Sequence, residues 1–240
     1  MSAIVEQTLH IAGGGILYDA SLLRKPEPSW FEREYWAQRN ALREVAGGRG
    51  SVCFLQTDVG SWVLRHYRRG GLIARISADR YLWSGQRRTR SFAEWRLLAQ
   101  LRRLELPVPA PIAAAYFKHG LTYRADLITA ELPVSRTLAV ALAESLSDGQ
   151  WQTIGATIAR FHSHGVCHAD LNAHNILLGS TGPVYVLDFD RGRIRPRGAW
   201  EQMVLARLRR SLDKIAGRHS AAVFSEREWT WLMQGYGRNE

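Results

Sequence analysis

Two short apolar runs, Ile176-Leu177-Leu178 and Val184-Tyr185-Val186-Leu187, flank a stretch of Gly, Ser, Thr and Pro over Gly179–Pro183. Short β-favouring runs joined by turn residues predict a hairpin. Alternation also marks strands at Val52–Leu55, Trp62–Tyr67, Ile112–Phe117 and Tyr123–Thr129, which with the apolar approach from Leu42 ahead of Gly47 predict a small five-stranded sheet. Helical spacing appears in Ser91–Arg103 (Phe92, Trp95, Leu98, Leu101), in Trp151–His164 (Trp151, Ile154, Ile158, Phe161) and in Trp200–Ile215 (Val204, Leu205, Leu208, Leu212, Ile215). Asp148 is the expected N-cap of the second helix, and Ser225-x-x-Glu228 is expected to cap a last one. Further helices are predicted over Ser29–Leu42, with an aromatic face suited to core packing, and over Thr137–Glu144. Strands and one helix in the first half, followed by helices around a hairpin, give an α+β chain.

The hairpin is flanked by chemistry. His168, Asp170 and Asn175 form H-x-D-x-x-x-x-N immediately before it, and Asp188-Phe189-Asp190 follows immediately after. A hairpin returns its ends to one side, so Asn175 and Asp188 are expected where a single cation meets both. Phosphoryl transfer asks little covalent work of a protein: a carboxylate to orient the attacking hydroxyl, and oxygen ligands for the magnesium on the nucleotide phosphates. Asp170 fits the first role; Asn175 and Asp188 fit the second, as cofactor-binding and metal residues. His168 reads as a buried residue that ties the loop, and His174 is assigned nothing. The combination predicts a kinase-type site using ATP and Mg²⁺.

Upstream, Gly47-Gly48-Arg49-Gly50-Ser51 lies between two predicted strands. Such a turn can lay backbone N–H groups over phosphates, which makes Gly47, Gly48 and Gly50 nucleotide-binding candidates. The next strand carries Arg65 where a protein kinase has lysine, and an arginine forks onto phosphate oxygens. Glu94 has two open readings: the end of a Ser91-x-x-Glu94 capping box, or a partner that positions Arg65, with the second preferred. Gly13-Gly14-Gly15 lacks the preceding strand and following Gly-Lys-Ser/Thr of a phosphate loop, so a flexible turn is expected there. Ala130–Pro133 is the expected hinge between an N-lobe of residues 1–131, which covers the nucleotide, and a C-lobe of residues 132–240, which carries the catalytic loop, metal site and acceptor.

Charge adds a constraint on partners. The chain has 32 Lys and Arg against 22 Asp and Glu, a net charge of +10, and its only lysines are Lys25, Lys118 and Lys214. An arginine-rich surface suits a phosphorylated or carboxylated acceptor, an anionic membrane surface or nucleic acid, unless the arginines are simply solvated. The densest run, Arg68–Arg90, interleaves arginines with Tyr81 and Trp83. The Trp200–Ile215 helix is basic and amphipathic, which suits either an anionic bilayer or ordinary packing. No apolar run reaches membrane-spanning length and no secretory signal is seen at the start. Cys53 and Cys167 make neither a disulfide framework nor a metal motif, in keeping with a reducing compartment. After Asp190 the chain runs through Arg191–Arg197 straight to the helix at Trp200, leaving no room for a polypeptide-binding platform. A small-molecule or lipid-linked acceptor is therefore expected.

The runs HADLNAHNILL, VLDFDRGRIR, WVLRHYRRGG and LARLRRSLDK resemble those of the 3-deoxy-D-manno-octulosonic acid (Kdo) kinases, a family of lipopolysaccharide-core kinases. The likeness runs from about residue 30 to the C-terminus. It implies a bilobal protein-kinase-like fold and ATP-dependent phosphorylation of the 4-hydroxyl of a Kdo residue on lipid A. It also implies Asp170 as the active-site residue, and a peripheral place on the cytoplasmic side of the inner membrane. The partners implied are Kdo–lipid A and the anionic membrane surface, not nucleic acid. Arg65, Asn172 and Asp190 depart from ordinary protein kinases in keeping with this group. Three alternatives stay open: a kinase of the same fold for another sugar, a catalytically silent kinase-like binding module, and a nucleic-acid binder suggested by charge alone.

Overall fold

The computed structural model describes residues 3–43, 52–68, 79–133, 135–179, 182–219 and 221–237. The α+β class is as expected. The chain forms two compact units, Met1–Arg103 with Pro109–Glu131, and Leu104–Val108 with Leu132–Glu240.

The first unit is built on an antiparallel sheet of eight strands among the described residues, not five. They are β1 (Glu6–Ile11), β2 (Gly14–Asp19), β3 (Leu42–Arg43), β4 (Val52–Thr57), β5 (Gly60–His66), β6 (Tyr81–Leu82), β7 (Pro111–His119) and β8 (Thr122–Ala130). The order is β1-β2-β7-β8-β5-β4-β3, with β6 added to β8. The β1–β2 hairpin overturns the reading of Gly13–Gly15 as a flexible turn. Only Gly13 turns the chain, at φ 70°, while Gly14 and Gly15 sit in register opposite Phe117 and Tyr116. The outer strand escaped notice because most of its residues are exposed or half-buried, so it carries little alternation.

One sheet face buries Tyr18, Leu55, Trp62, Leu64, Ile112 and Ile128 together with Phe31 and Trp36. The long helix expected over Ser29–Leu42 is instead a 3₁₀ turn, Pro28–Phe31, and the short α1 (Arg33–Ala37). Glu32 is extended between them (φ −108°, ψ 123°), and Asn40 ends the segment at φ 53°. The aromatic residues do pack as core: Trp30, Trp36 and Trp62 form a mutual cluster with centroids 5.7–6.4 Å apart. On the other face lies α2 (Arg90–Arg103), with Phe92, Trp95, Leu98 and Leu101 all buried.

The second unit contains β9 (Ser135–Thr137), α3 (Leu138–Ala141), α4 (Asp148–Ser163), β10 (Val166–Cys167), β11 (Ile176–Gly179), β12 (Val184–Val186), β13 (Arg193–Ile194), α5 (Trp200–Ala216) and α6 (Glu226–Gly237). The expected N-cap of α4 is displaced by one residue. Ser147, not Asp148, caps it: its hydroxyl accepts from the Gln150 N–H, and the Gln150 side chain accepts from the Ser147 N–H. Ser225 and Glu228 cap α6 as expected, with the Ser225 N–H donating to Glu228 Oε2 at 2.8 Å.

Helices α4 and α6 touch through their backbones. A Cβ on Gly155 would lie 1.9 Å from the Leu232 carbonyl oxygen, and one on Gly235 would lie 2.0 Å from that of Gln152. No other residue type fits that crossing without moving a helix. The apolar stripe of α5 (Val204, Leu205, Leu208, Leu212) is buried in the unit, so its amphipathic pattern reports packing.

Candidate active site

Helix α4 delivers the chain to the loop that carries the motif. Gly165, at φ 69°, ends the helix in the left-handed conformation that L side chains resist, and its N–H returns to the His162 carbonyl at 2.8 Å. The following strand β10 pairs with β13, and residues 168–175 then fold back onto the exit of β12.

The backbone of Leu187 is where that folding back is pinned. Its N–H donates to the Asn175 carbonyl at 2.8 Å, and its own carbonyl accepts from His168 Nε2 at 2.8 Å. With Nε2 as donor, His168 Nδ1 is the acceptor for the Asp170 N–H, at 3.1 Å. Burial holds His168 below the usual imidazole range, so this neutral form persists at neutral pH. His168 is thus a buried residue that ties the loop, as the sequence suggested, joining Asp170 to the exit of β12. Asn172 Nδ2 (2.9 Å) and Asn175 Nδ2 (3.0 Å) both donate to the Asp170 carbonyl. The backbone at Asp170 is therefore held by three side chains.

The hairpin forms as expected, with Ile176 opposite Val186 and Leu178 opposite Val184, all four buried. Asn175 and Asp188 stand at its two ends, joined by the Asn175–Leu187 bond. Asp188 sits at φ 60°, an uncommon conformation for a residue with a side chain. Next to it Phe189 is fully buried, its ring 4.8 Å from His168 and stacked at 5.7 Å on Phe161. The buried ring anchors the turn that presents Asp188. Because the Asn175 amide nitrogen is committed to the Asp170 carbonyl, its oxygen is the side-chain atom that could meet a cation. Two hard oxygen donors on adjacent backbone suit Mg²⁺, which takes few ligands from protein. Among the described residues no group of three or more His, Cys, Asp and Glu gathers around a metal position.

The Asp170 side chain has a partner that sequence reading missed. Arg207 of α5 donates from Nε to Asp170 Oδ1 at 2.6 Å, and its Nη2 engages the same oxygen. Both side chains are about half exposed, at 49% and 51%. Arg207 lies on the polar side of a helix 37 residues away in sequence, so spacing gave no signal for the pair. Ser211, one turn further along α5, accepts the Ala173 N–H at 3.2 Å, so the helix braces the loop at two points.

The first unit carries the other candidates. Glu94, 2% exposed, accepts hydrogen bonds from Arg65 and from the Tyr67 hydroxyl. Arg65 also donates to the Tyr67 hydroxyl at 3.2 Å and lies over its ring at 4.8 Å. Residues i and i+2 of a strand share a face, which brings Arg65 and Tyr67 together toward α2. Of the two readings of Glu94, the pairing with Arg65 is the one seen. Ser91 lies inside α2, and its hydroxyl donates to the Ala115 carbonyl at 2.7 Å instead of forming a capping box. Tyr67 was missed, although its i+2 spacing from Arg65 was a usable signal. Gly47, Gly48 and Gly50 lie outside the described residues. Cys53 is buried and Cys167 half-buried, and neither forms a disulfide.

Residues 33–236 match the model of the lipopolysaccharide kinase (Kdo/WaaP) family. Three relatives carry the name 3-deoxy-D-manno-octulosonic acid kinase. The one from Stenotrophomonas maltophilia (strain K279a) is 48% identical over 225 residues, covering 93% of this chain and 89% of the relative. The one from Xylella fastidiosa (strain M23) is 45% identical over 225 residues with the same coverage. The one from Xanthomonas axonopodis pv. citri (strain 306) is 47% identical over 208 residues, covering 86% and 83%.

Proposed function

Since this chain belongs to the lipopolysaccharide kinase (Kdo/WaaP) family and is a phosphotransferase that uses ATP, we propose that it phosphorylates the 4-hydroxyl of a Kdo residue on lipid A. The step would belong to assembly of the lipopolysaccharide inner core, on the cytoplasmic side of the inner membrane. The observation that carries the reading is the loop centred on Asp170, held by His168, Asn172, Asn175 and Arg207 while half its side chain stays accessible.

In this reading the Kdo hydroxyl docks on Asp170 Oδ2, since Arg207 holds Oδ1. The hydroxyl oxygen forms a bond to the γ-phosphorus, the bond from that phosphorus to the β-bridging oxygen breaks, and ADP leaves. The hydroxyl proton passes to Asp170. Asn175 and Asp188 would hold Mg²⁺, which when bound offsets negative charge on the nucleotide phosphates. Arg65, positioned by Glu94 and Tyr67, would meet the donor phosphates together with the Gly47, Gly48 and Gly50 backbone. The division of labour follows the expected lobes, nucleotide on residues 1–131 and acceptor on residues 132–240. The arginine excess gives the protein a field that favours an acceptor bearing a carboxylate and phosphates.

The test is transfer of labelled γ-phosphate from Mg·ATP to Kdo–lipid A dispersed in detergent, with lipid A lacking Kdo as the control acceptor. Transfer that requires the Kdo unit and falls roughly 10³-fold in Asp170→Asn, with unchanged thermal unfolding, is the expected result. Transfer to both acceptors alike would move the site to another hydroxyl. Transfer at full rate in Asp170→Asn would remove that residue from the reaction.

A further inference from the structure

On the first unit, two leucines stand in water with no packing role. Leu121, at the tip of the β7–β8 hairpin, is 85% exposed, and Leu82 of β6 is 73% exposed. They are neighbours: Leu82 pairs with Thr122, and the Trp83 N–H donates to the Leu121 carbonyl at 2.9 Å. The Trp83 ring packs 5.1 Å from Tyr116 and 6.0 Å from Tyr123, with the Lys118 ammonium 5.0 Å above it. Arg80 and Arg124, both exposed, flank the leucines on β6 and β8.

The chain leaving Trp83 enters the rim of a polar concavity of about 790 Å³. Its lining includes His10 of β1, the exposed Arg87 and Arg88 of the 3₁₀ turn Gln86–Arg88, and Arg96 of α2. Among the described residues Glu6 is the one carboxylate in that lining, and Arg96 already holds it at 2.8 Å. An apolar tip and a cationic basin thus sit side by side on one unit.

We propose that this edge is where the protein docks on an anionic lipid bilayer, with Leu82 and Leu121 entering the acyl boundary, Trp83 at headgroup depth, and Arg87, Arg88 and Lys118 on lipid phosphates. Exposed apolar side chains, an indole and cations gathered at one edge are the residue types a membrane interface takes up at successive depths. The scale argues for lipid over protein: two leucines and part of an indole fall well short of the roughly 800 Å² per partner that a stable protein interface buries. A small wedge backed by several cations is sufficient for reversible attachment to a negatively charged surface. The alternative raised by the sequence, α5, is excluded because its apolar stripe is already buried. The docking proposal deepens the reading of a lipid-linked acceptor, but it does not depend on the chemistry at Asp170.

The experiment is co-sedimentation of the full chain with vesicles of phosphatidylethanolamine and phosphatidylglycerol, and with vesicles of phosphatidylcholine alone. Binding to the anionic vesicles only, weakened by salt, is expected. It should fall roughly tenfold or more in the Leu82→Ser/Leu121→Ser double variant, and by a similar factor in Arg87→Gln/Arg88→Gln. Both variants alter exposed side chains, and phosphorylation of detergent-dispersed Kdo–lipid A should stay at the parent rate. Parent-like vesicle binding by both variants, or no preference for anionic lipid, would overturn the proposal. Loss of vesicle binding with detergent activity retained separates failure of docking from failure of the proposed reaction.

Discussion

The protein uses arginine against carboxylate in two settings that differ in burial. Arg65–Glu94 lies between a strand and a helix, with Glu94 only 2% exposed, whereas in Arg207–Asp170 both partners are about half in water. In the first pair one buried carboxylate oxygen, Glu94 Oε2, accepts from both a guanidinium and a phenol. In the second, one carboxylate oxygen is held while the residue stays open. Buried charge is costly to strip of its partner, because what remains is desolvated and uncompensated. Exposed pairs contribute little to stability, so their value lies in geometry. The comparison assigns Glu94 to the fold and to the pose of Arg65, and Arg207 to the pose of Asp170.

The largest effect should come from the buried pair. Glu94→Ala removes the acceptor for the buried Tyr67 hydroxyl and the partly buried Arg65 guanidinium and is expected to cost about 3 kcal/mol of stability, read as a shifted urea midpoint with unchanged slope. An unshifted midpoint would dissolve the contrast. Next, Arg207→Ala should lower the transfer rate roughly tenfold with ATP affinity unchanged, while costing under about 1 kcal/mol of stability. Arg207→Lys, which keeps charge but loses the fork, should recover only part of that rate. Full recovery by lysine would show that charge matters and geometry does not.

The smallest effect tests burial with a single titrating group. His162 of α4 is buried against Trp200, with Nδ1 2.8 Å from the Tyr236 hydroxyl, and burial lowers its pKa to about 4. The unfolded imidazole titrates near 6.5, so between these values the unfolded chain binds the extra proton. Stability contributed here is intact above pH ~6.5 and falls as pH drops toward ~4, by about 1 kcal/mol at pH ~5.5. His66 acts in the opposite sense. The Asp126 carboxylate 2.6 Å away raises its pKa, which favours the fold at lower pH and fades as pH rises. The measurement is therefore the difference in unfolding free energy between the parent and His162→Asn at pH 7.5 and 5.5. A pH-independent difference would show that His162 is not held neutral.

The parts of the site that were legible in the sequence are those written locally. The period-two runs around Gly179–Pro183 and the spacing from His168 to Asn175 lie within one stretch, and that stretch folds on itself. Arg65 opposite Glu94 was legible because strand and helix follow one another in a familiar order. What stayed hidden depends on surfaces meeting across the chain. Arg207 reaches Asp170 only because α5 packs its leucines inward and turns its polar side to the loop. The β1–β2 hairpin was missed because an edge strand open to water needs no strict alternation. The cap of α4 was misplaced by one residue because Ser147 and Asp148 both have capping side chains, and the choice depends on which oxygen meets the Gln150 N–H.

The glycine crossing of α4 and α6 makes the last dozen residues of the described chain a support for the helix that leads into the Asp170 loop. Helix α4 hands the chain to the Asp170 loop, and α6 is seated on it backbone to backbone at Gly155 and Gly235, with Tyr236 bonded to His162. A premature stop just ahead of Glu226 would leave Asp170, Asn175 and Asp188 in the chain, yet would bare the flank of the helix that leads into their loop. Late nonsense mutations should therefore be as damaging as missense changes in the loop, and a selection for function should tolerate neither.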